Sequence, residues 1–352
     1  MTPAKVRFAI VGYGPVFNWG WMHAQWIRAV ENLELVAICD RDSACAAKAK
    51  SDFREVDACT DLRELLRRDD VDAVSVVTPH NTHAAIAIEC LNAGKHVVVE
   101  KPMCISVAEA TAMIEAAKRA GKTLAVFHNR RHDGNLRAIK EAVDQGLLGE
   151  VFHIEVAAQG YGPHFNYGRP GEPWRASKAI SGGGLYDWGA HAVDWVLSLV
   201  PSKMAQVTGF FHKLVWHESS NEDQTRAIIR FENGCVAEIM HSTISYLGKG
   251  YLWYILGTKG AIRDTGRDAI QGYCKELNGP PGGSFKLRTA EGEREVPYKD
   301  SDWLTHYVDL ANHFLRGAPL PVSGEDGRRV IAVLETAEKS SKSGHSEPVP
   351  FP

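Results

Sequence analysis

The sequence lacks a strong charge of either sign. Its 40 Lys and Arg stand against 43 Asp and Glu, a formal net charge of -3, which removes the electrostatic case for nucleic acid or an anionic membrane surface as a partner. It also lacks any apolar run of the roughly 20 residues that a membrane helix needs. The first residues, Met1 to Lys5, lead straight into a β-type run with no signal-type apolar region, so neither secretion nor membrane insertion is expected. The seven cysteines, at 39, 45, 59, 90, 104, 235 and 274, include no Cys-x-x-Cys pair. An odd, unpatterned set suggests reduced thiols and a cytoplasmic protein. Internal repeats and low-complexity tracts are absent too. What remains is an ordinary globular composition, 352 residues with 44% hydrophobic, enough for two domains with sizeable cores.

The first third alternates buried strands with helices. Val6 to Val11 is an apolar, β-branched run followed by Gly12-Tyr13-Gly14 and a helix from about His23 to Val30. Leu35 to Cys39 makes a second strand ending at Asp40-Arg41. Glycines at such a turn let a backbone approach a pyrophosphate, and an acid at the second strand's end accepts from ribose hydroxyls. The usual third glycine is displaced to Gly20, behind Pro15, Val16, Phe17, Asn18 and Trp19. Further units follow: a helix over Asp61 to Arg68, a strand over Val71 to Val77 ending at Thr78-Pro79, and a helix from His83 to Ala93 stopped by Gly94. The strand Val97 to Val99 halts at Glu100-Lys101-Pro102, and Pro102 forbids its continuation. Ser106 and Glu109 form a capping box for a helix to about Ala120, and Thr123 to Phe127 is one more strand. The pattern predicts a Rossmann-type, doubly wound parallel sheet over residues 1–128.

After His128 the pattern changes. A helix from Asn135 to Gln145 precedes long alternating segments at Val151 to Ala158, Ala205 to His212, Thr225 to Phe231, Val236 to Ser245 and Tyr251 to Leu256. Alternation of this kind predicts an open, largely antiparallel sheet in a second domain over 129–352. Helices near Asp302 to Arg316 and Glu325 to Ser341 are expected to pack back on the body, and Gly279 to Gly283 to form a surface loop. Apolar residues on both faces of Val236 to Ser245 suggest that the sheet's outer face meets another subunit, giving a homodimer or homotetramer.

Two stretches carry candidate chemistry. Lys101 stands at the carboxyl end of a buried strand, where ligands of open parallel sheets collect; a lysine reaching into solvent would look the same. Asp187 and His191, four apart, share one helix face with Asp194. A carboxylate beside an imidazole orients the ring and stabilises its protonated form, though a plain surface contact has the same spacing. Spacing supplies no third ligand, so no metal is expected. The connection after Val156 is rich in aromatic and planar donor groups: Tyr161, His164, Phe165, Asn166, Tyr167, Arg169, Trp174 and Arg175. Such groups suit a polyhydroxylated ring, and Arg130, Arg131, Trp174 and Arg175 are placed near substrate on that ground, with an ordinary loop lining as the alternative.

The turn Gly12/Gly14, Asp40, Thr78-Pro79 with His83, Ala93 to Val97, Glu100-Lys101-Pro102, and Gly183-Gly184 with Asp187 and His191 follow in one order. Together they resemble the Gfo/Idh/MocA family of nicotinamide-dependent sugar oxidoreductases, over nearly the whole chain. Phe127 to Arg131 is similar to members acting on inositols. The resemblance implies a nicotinamide cofactor held by Gly12, Gly14, Asp40, Arg41, Thr78, Pro79, His83, Glu100 and Lys101. It further implies that Lys101, Asp187 and His191 surround the reacting carbon: Lys101 bonds the reacting oxygen, His191 exchanges the proton, and Asp187 positions substrate and imidazole; beside a positive nicotinamide Lys101 ionises less readily and is the alternative base. Asp40 would repel a 2'-phosphate and so favours NAD, while Arg41 could accept one, leaving NADP as the alternative.

The expected activity is NAD(P)-dependent interconversion of a secondary alcohol and a ketone on a sugar, inositol or related polyol. Two other readings stay open: internal redox with a tightly held cofactor, giving glycoside cleavage or epimerisation, and a non-catalytic nicotinamide-binding regulator.

Overall fold

The computed structural model describes residues 5–14, 18–163, 173–264 and 283–352. Pro15 to Phe17, His164 to Arg169, Cys274 and most of the Gly279 to Gly283 loop lie outside the described residues. The chain forms two compact units, one of Met1–His128 with Trp303–Gly327 and one of Asn129–Asp302 with Arg328–Pro352. The segment 303–327 thus returns to the first unit, so the boundary is crossed more often than the single break at 128/129 drawn from composition.

The first unit contains β1 (Val6–Val11), α1 (Trp19–Ala29), β2 (Leu33–Cys39), α2 (Ser43–Asp52), β3 (Asp57–Cys59), α3 (Leu62–Leu66), β4 (Ala73–Val76), α4 (His83–Asn92), β5 (His96–Glu100), α5 (Val107–Ala120) and β6 (Leu124–Phe127). Its strands lie in the order β3-β2-β1-β4-β5-β6, and every pairing is parallel. Strands covered on both faces need apolar residues at every position, which is why Ala73 to Val76 and Val97 to Val99 read as unbroken apolar or small runs. The Ser106 cap forms, its hydroxyl accepting from the Glu109 amide at 3.2 Å. The Glu109 carboxylate reaches the Ile105 amide at 3.0 Å, one residue beyond the usual capping-box partner.

Two elements of the first unit escaped the sequence pattern. Helix α2 buries only Ala46 and Ala49; it is held by alanine-rich propensity and by the Asp42 carboxylate, which accepts from the Ala44 amide at 2.8 Å, so it carries no apolar stripe. Strand β3 has three residues and a half-exposed face.

The second unit begins with α6 (Gly134–Asp144), β7 (Val151–Gln159), α7 (Lys178–Ser181) and α8 (Tyr186–Leu199). It continues with β8 (Met204–His212), β9 (Gln224–Phe231), β10 (Val236–Ser242), β11 (Trp253–Gly257), β12 (Gly260–Asp264), β13 (Ser284–Thr289) and β14 (Gly292–Pro297). With the C-terminal β15 (Glu347–Pro348), the sheet order is β14-β13-β12-β11-β7-β10-β9-β8-β15. All pairs are antiparallel except β7 with β10, which makes the sheet mixed. Strand β14 is exposed along nearly its whole length, so it has no buried face to imprint an alternation.

Helix α9 (Leu304–Arg316) belongs to the first unit, where fully buried Tyr307 meets Phe8 and Phe127 at ring-centroid distances of 5.9 and 5.5 Å. Burying one such side chain is worth about 1.5–3 kcal/mol. Helix α10 (Gly324–Ser343) leads into the second unit, where Ser340 accepts from the Gly209 amide of β8 at 3.0 Å. The short strand β15 (Glu347–Pro348) then closes the edge against β8.

Two histidines tie stability to pH. Burial, then the nearby Lys122 charge, pushes the His96 imidazole down to about 4, and its Nδ1 accepts from the Thr123 amide at 3.0 Å. Burial likewise pushes His132 down to about 4. Both groups bind fewer protons folded than unfolded, so their contribution is complete above the unfolded value of about 6.5 and is lost as pH falls toward 4. The melting temperature is expected to drop steadily from pH 6.5 to 4, and a His96→Gln, His132→Gln double variant to show a shallower drop. An equal slope in that variant would place the pH dependence elsewhere.

Candidate functional site

Strand order reverses between β1 and β4, and the strand ends there form the crevice in which such sheets bind ligands. At the tip of β1, Gly12 has φ 105° and donates its N-H to the Cys39 carbonyl at 2.8 Å. A Cβ there would lie 2.1 Å from the Val77 carbonyl oxygen, so no other residue fits. Gly14 is the opposite case, exposed, with nothing within 4 Å of a Cβ position. Asp40 continues from β2 and accepts from the Tyr13 amide at 2.6 Å and the Asp42 amide at 2.9 Å. Arg41 is exposed. Tyr13, Gly14, Asn18, Trp21, Lys48 and Asp52 line a cavity of about 520 Å³ beside this turn. An open glycine, a carboxylate at the second strand's end and an adjoining cavity fit a dinucleotide.

At the ends of β4 and β5 the polar groups bond one another. Thr78 and Pro79 are half-buried, and the Thr82 hydroxyl sits 2.8 Å from Thr78 Oγ1 and 2.6 Å from the Pro79 carbonyl. His83, expected at the cofactor, is fully buried and bridges the two strand ends, Nε2 lying 2.8 Å from the Thr78 carbonyl and Nδ1 2.9 Å from that of Pro102. Burial pushes its imidazole down. Glu100 also turns inward: Oε1 is 2.9 Å from His23 Nε2, and Oε2 accepts from the Lys101 amide at 2.9 Å. Burial raises the Glu100 carboxyl, but the His23 hydrogen bond and the charges of His23 and Lys101 outweigh it and hold the group below the usual range. Lys101 follows directly, half-buried, ahead of a cis peptide to Pro102.

In the second unit α8 carries Asp187, His191 and Asp194. The Asp187 side chain is 40% exposed, whereas His191 and Asp194 are buried. Arg175 Nε lies 3.4 Å from Asp187 Oδ2, and the same guanidinium sits 4.2 Å from the Trp174 ring centre. Arg131 grips Asp194 in a two-pronged ion pair, Nε to Oδ2 at 2.9 Å and Nη2 to Oδ1 at 2.7 Å. Arg130 pairs with Asp133 at 3.1 Å and lies over Trp188 at 5.1 Å. Both arginines, expected at substrate, are thus committed to carboxylates of their own unit. The glycine run before α8 leaves less room than its composition suggests. Glu222 accepts from the Gly184 amide at 2.9 Å and pairs with Lys178, and a Cβ on Gly184 would lie 2.6 Å from the Glu222 carbonyl.

Asp187 and Arg175 face a cavity of about 510 Å³ that also takes in Trp188, Trp216, Asn221 and His241. The last three went unremarked in the sequence. A signal for His241 existed: on β10 it shares the inward face of Ala237 and Ile239, and a polar residue there interrupts an apolar alternation. Trp216 and Asn221 sit in an irregular connection that gives no such pattern. Among the described residues no cluster of His, Cys, Asp and Glu could hold a metal.

The Arg131–Asp194 pair is unequally buried, the side chains being 25% and 2% exposed. Removing the arginine takes the charged partner from a carboxylate held out of water, whereas removing the acid leaves a guanidinium that water can reach. Arg131→Ala is expected to destabilise the protein by about 3 kcal/mol or more, and Asp194→Asn by less, in denaturant unfolding. The reverse ranking would show that Arg131 serves a ligand rather than the fold.

Residues 6–128 match the family model described as an oxidoreductase family with an NAD-binding Rossmann fold, and residues 136–263 match the GFO/IDH/MocA C-terminal domain. The scyllo-inositol 2-dehydrogenase (NADP(+)) IolW of Bacillus subtilis is 26% identical, over 96% of this chain and 94% of its own length. The myo-inositol 2-dehydrogenase of Thermotoga maritima is 28% identical, over 97% and 98%. Among solved structures, the Bacillus subtilis oxidoreductase YvaA superposes with a TM-score of 0.84 at 26% identity, covering 98% of this chain and 99% of that one. With both family models placed in sequence on a parallel NAD-binding sheet and the mixed sheet that follows, the chain belongs to the Gfo/Idh/MocA family of oxidoreductases.

Proposed function

We propose that the protein is an NAD(P)-dependent dehydrogenase or reductase of a cyclic polyol or sugar, interconverting a secondary alcohol and its ketone. The observation that carries this reading is the common placement of Gly12, Asp40, Thr78 and Lys101 at one end of the parallel sheet. When bound, the nicotinamide takes up or returns a hydride. The protein's own groups manage the proton and the charge. Lys101 donates to the reacting oxygen and stabilises alkoxide character as it develops. His191 accepts the hydroxyl proton in oxidation and returns it in reduction, with Asp187 orienting substrate and imidazole. Thr78, Pro79, Gly12, Gly14 and Asp40 serve the cofactor; His83 and Glu100 serve it indirectly, by fixing strand ends.

The cavity at Asp187 supports a polyol. It offers carboxylate, guanidinium, amide and imidazole groups around the Trp216 ring, and Tyr161 lies 5.4 Å from that ring. Hydroxyls both donate and accept, so a mixed set of this kind recognises them, while an aromatic face covers the ring's C-H surface. The two inositol dehydrogenases among the relatives agree with this class. Asp40 favours NAD, since its carboxylate is fixed at the position that a 2'-phosphate would approach. A cytoplasmic location suits the free thiols, and no helix among the described residues is long and apolar enough to cross a membrane. A homo-oligomer through the second sheet is supported by Phe210, Ile228, Met240 and Tyr254 on its outer face, exposed or half-buried among charges.

Offered inositols and aldoses with NAD or NADP, the protein is expected to raise the reduced-nicotinamide absorbance with at least one polyol, faster with NAD. Lys101→Ala should lower kcat by about 100-fold or more, and Asp40→Ser should raise the NADP rate relative to NAD. A flat trace across the panel, with cofactor binding intact by calorimetry, would overturn the assignment of a net redox reaction.

A further inference from the structure

Behind Lys101 runs a line of buried polar side chains that the hydride and proton steps do not use. Ser75 on β4 and Tyr307 on α9 are fully buried, and His23 on α1 is 1% exposed. The Ser75 and Tyr307 hydroxyls are 2.9 Å apart, Tyr307 and His23 Nδ1 are 2.6 Å apart, and His23 Nε2 is 2.9 Å from Glu100 Oε1. The chain ends where Glu100 Oε2 accepts the Lys101 amide. Four separate elements of the first unit therefore converge on the peptide that carries Lys101.

Stability is a weak reason for such a chain, because buried hydrogen-bonded groups contribute little net and apolar replacements of equal shape are often neutral. Direction is a better one. Glu100 is held as a carboxylate and can only accept, so His23 Nε2 carries a proton toward it; Nδ1 is fixed in turn by Tyr307, and Tyr307 by Ser75. With Oε1 held by the imidazole, the carboxylate plane is set and Oε2 pins the Lys101 N-H. We propose that Ser75, Tyr307, His23 and Glu100 are positioning residues of the reaction, a buried chain that fixes the Glu100–Lys101 peptide and thereby the direction in which Lys101 leaves the strand. This rests on the reading of Lys101 as the group at the reacting oxygen. Misplacement of such a group by about 1 Å lowers a rate by about 100-fold.

Two near-isosteric variants test the chain. Tyr307→Phe keeps the ring against Phe8 and Phe127 and removes only the hydroxyl. Glu100→Gln keeps the shape but turns one acceptor into a donor, which must then face either the His23 or the Lys101 N-H. On the polyol that gives the highest rate, kcat should fall about tenfold in Tyr307→Phe and about 100-fold in Glu100→Gln, with KM within about twofold. In a Lys101→Ala background, Tyr307→Phe should lower the residual rate no further, because it acts through the lysine. Hydrogen-deuterium exchange of the peptide spanning 99–103, in protein without cofactor or substrate, should quicken in both variants.

Unchanged kcat together with unchanged exchange would overturn the proposal. So would an equal loss from Tyr307→Phe with and without Lys101, which would mark general damage. Should Lys101→Ala itself keep full activity, the reading of Lys101 fails, and the exchange measurement still decides whether the chain holds the peptide.

Discussion

Where the tip of β1 meets the end of β4 there is no space for a side chain. The Val77 carbonyl occupies the position of a Cβ on Gly12, while the Gly12 amide bonds across to Cys39 at the end of β2. This three-way closure fixes the level at which β1, β2 and β4 stop, and so where Asp40 and Thr78 emerge. Asp40 then bonds back to the Tyr13 amide, so the glycine turn and the acid hold each other. Alignment passes across the sheet by the parallel register, which pairs Val76 with Val99. His83 completes it by lying between the carbonyls of Thr78 and Pro102, within hydrogen-bond distance of each. A parallel sheet with staggered ends would deliver the same residues to different depths.

The second unit solves a related problem with charge. Helix α8 is the carrier of Asp187 and His191, and it must be held without apolar contact on every face. Trp195 supplies the packing, 5.4 Å from Trp253, and its indole N-H donates to the Arg130 carbonyl at 3.1 Å. Arg131 on Asp194 and the Glu222 contact to Gly184 hold the helix along its length and at its entry. The two-pronged Arg131 pair offsets the cost of burying Asp194.

Much of this was legible in the sequence, for definite reasons. Short, β-branched, unbroken runs such as Val97 to Val99, bounded by Gly94 and Pro102, read as strands covered on both sides, and the Ser106 cap and the glycine after β1 are local signals with local causes. The elements that were missed lack such causes. Helix α2 stands on propensity and a cap, and β14 on backbone pairing beside a charged surface. Asp187 and His191 could be singled out because a helix fixes their spacing, and both lie on α8. His241 and Trp216 were not singled out, because only the fold brings them to the same cavity.

The roles of individual polar residues divide along the same line. From sequence, Arg130, Arg131, His83 and Glu100 are indistinguishable in kind from Arg175, His191 and Lys101, since residue type states which bonds a group can make and not which it has made. In the folded chain the first set makes bonds within its own unit: guanidinium to Asp133 and Asp194, imidazole between two carbonyls, carboxylate to His23 and a backbone amide. Arg175 and Asp187, by contrast, line a cavity. A buried polar group held in this way gives up a bond that the interior does not replace if it turns to a ligand. Such a group acts on its surroundings by holding a neighbour in place, as Glu100 holds the Lys101 amide.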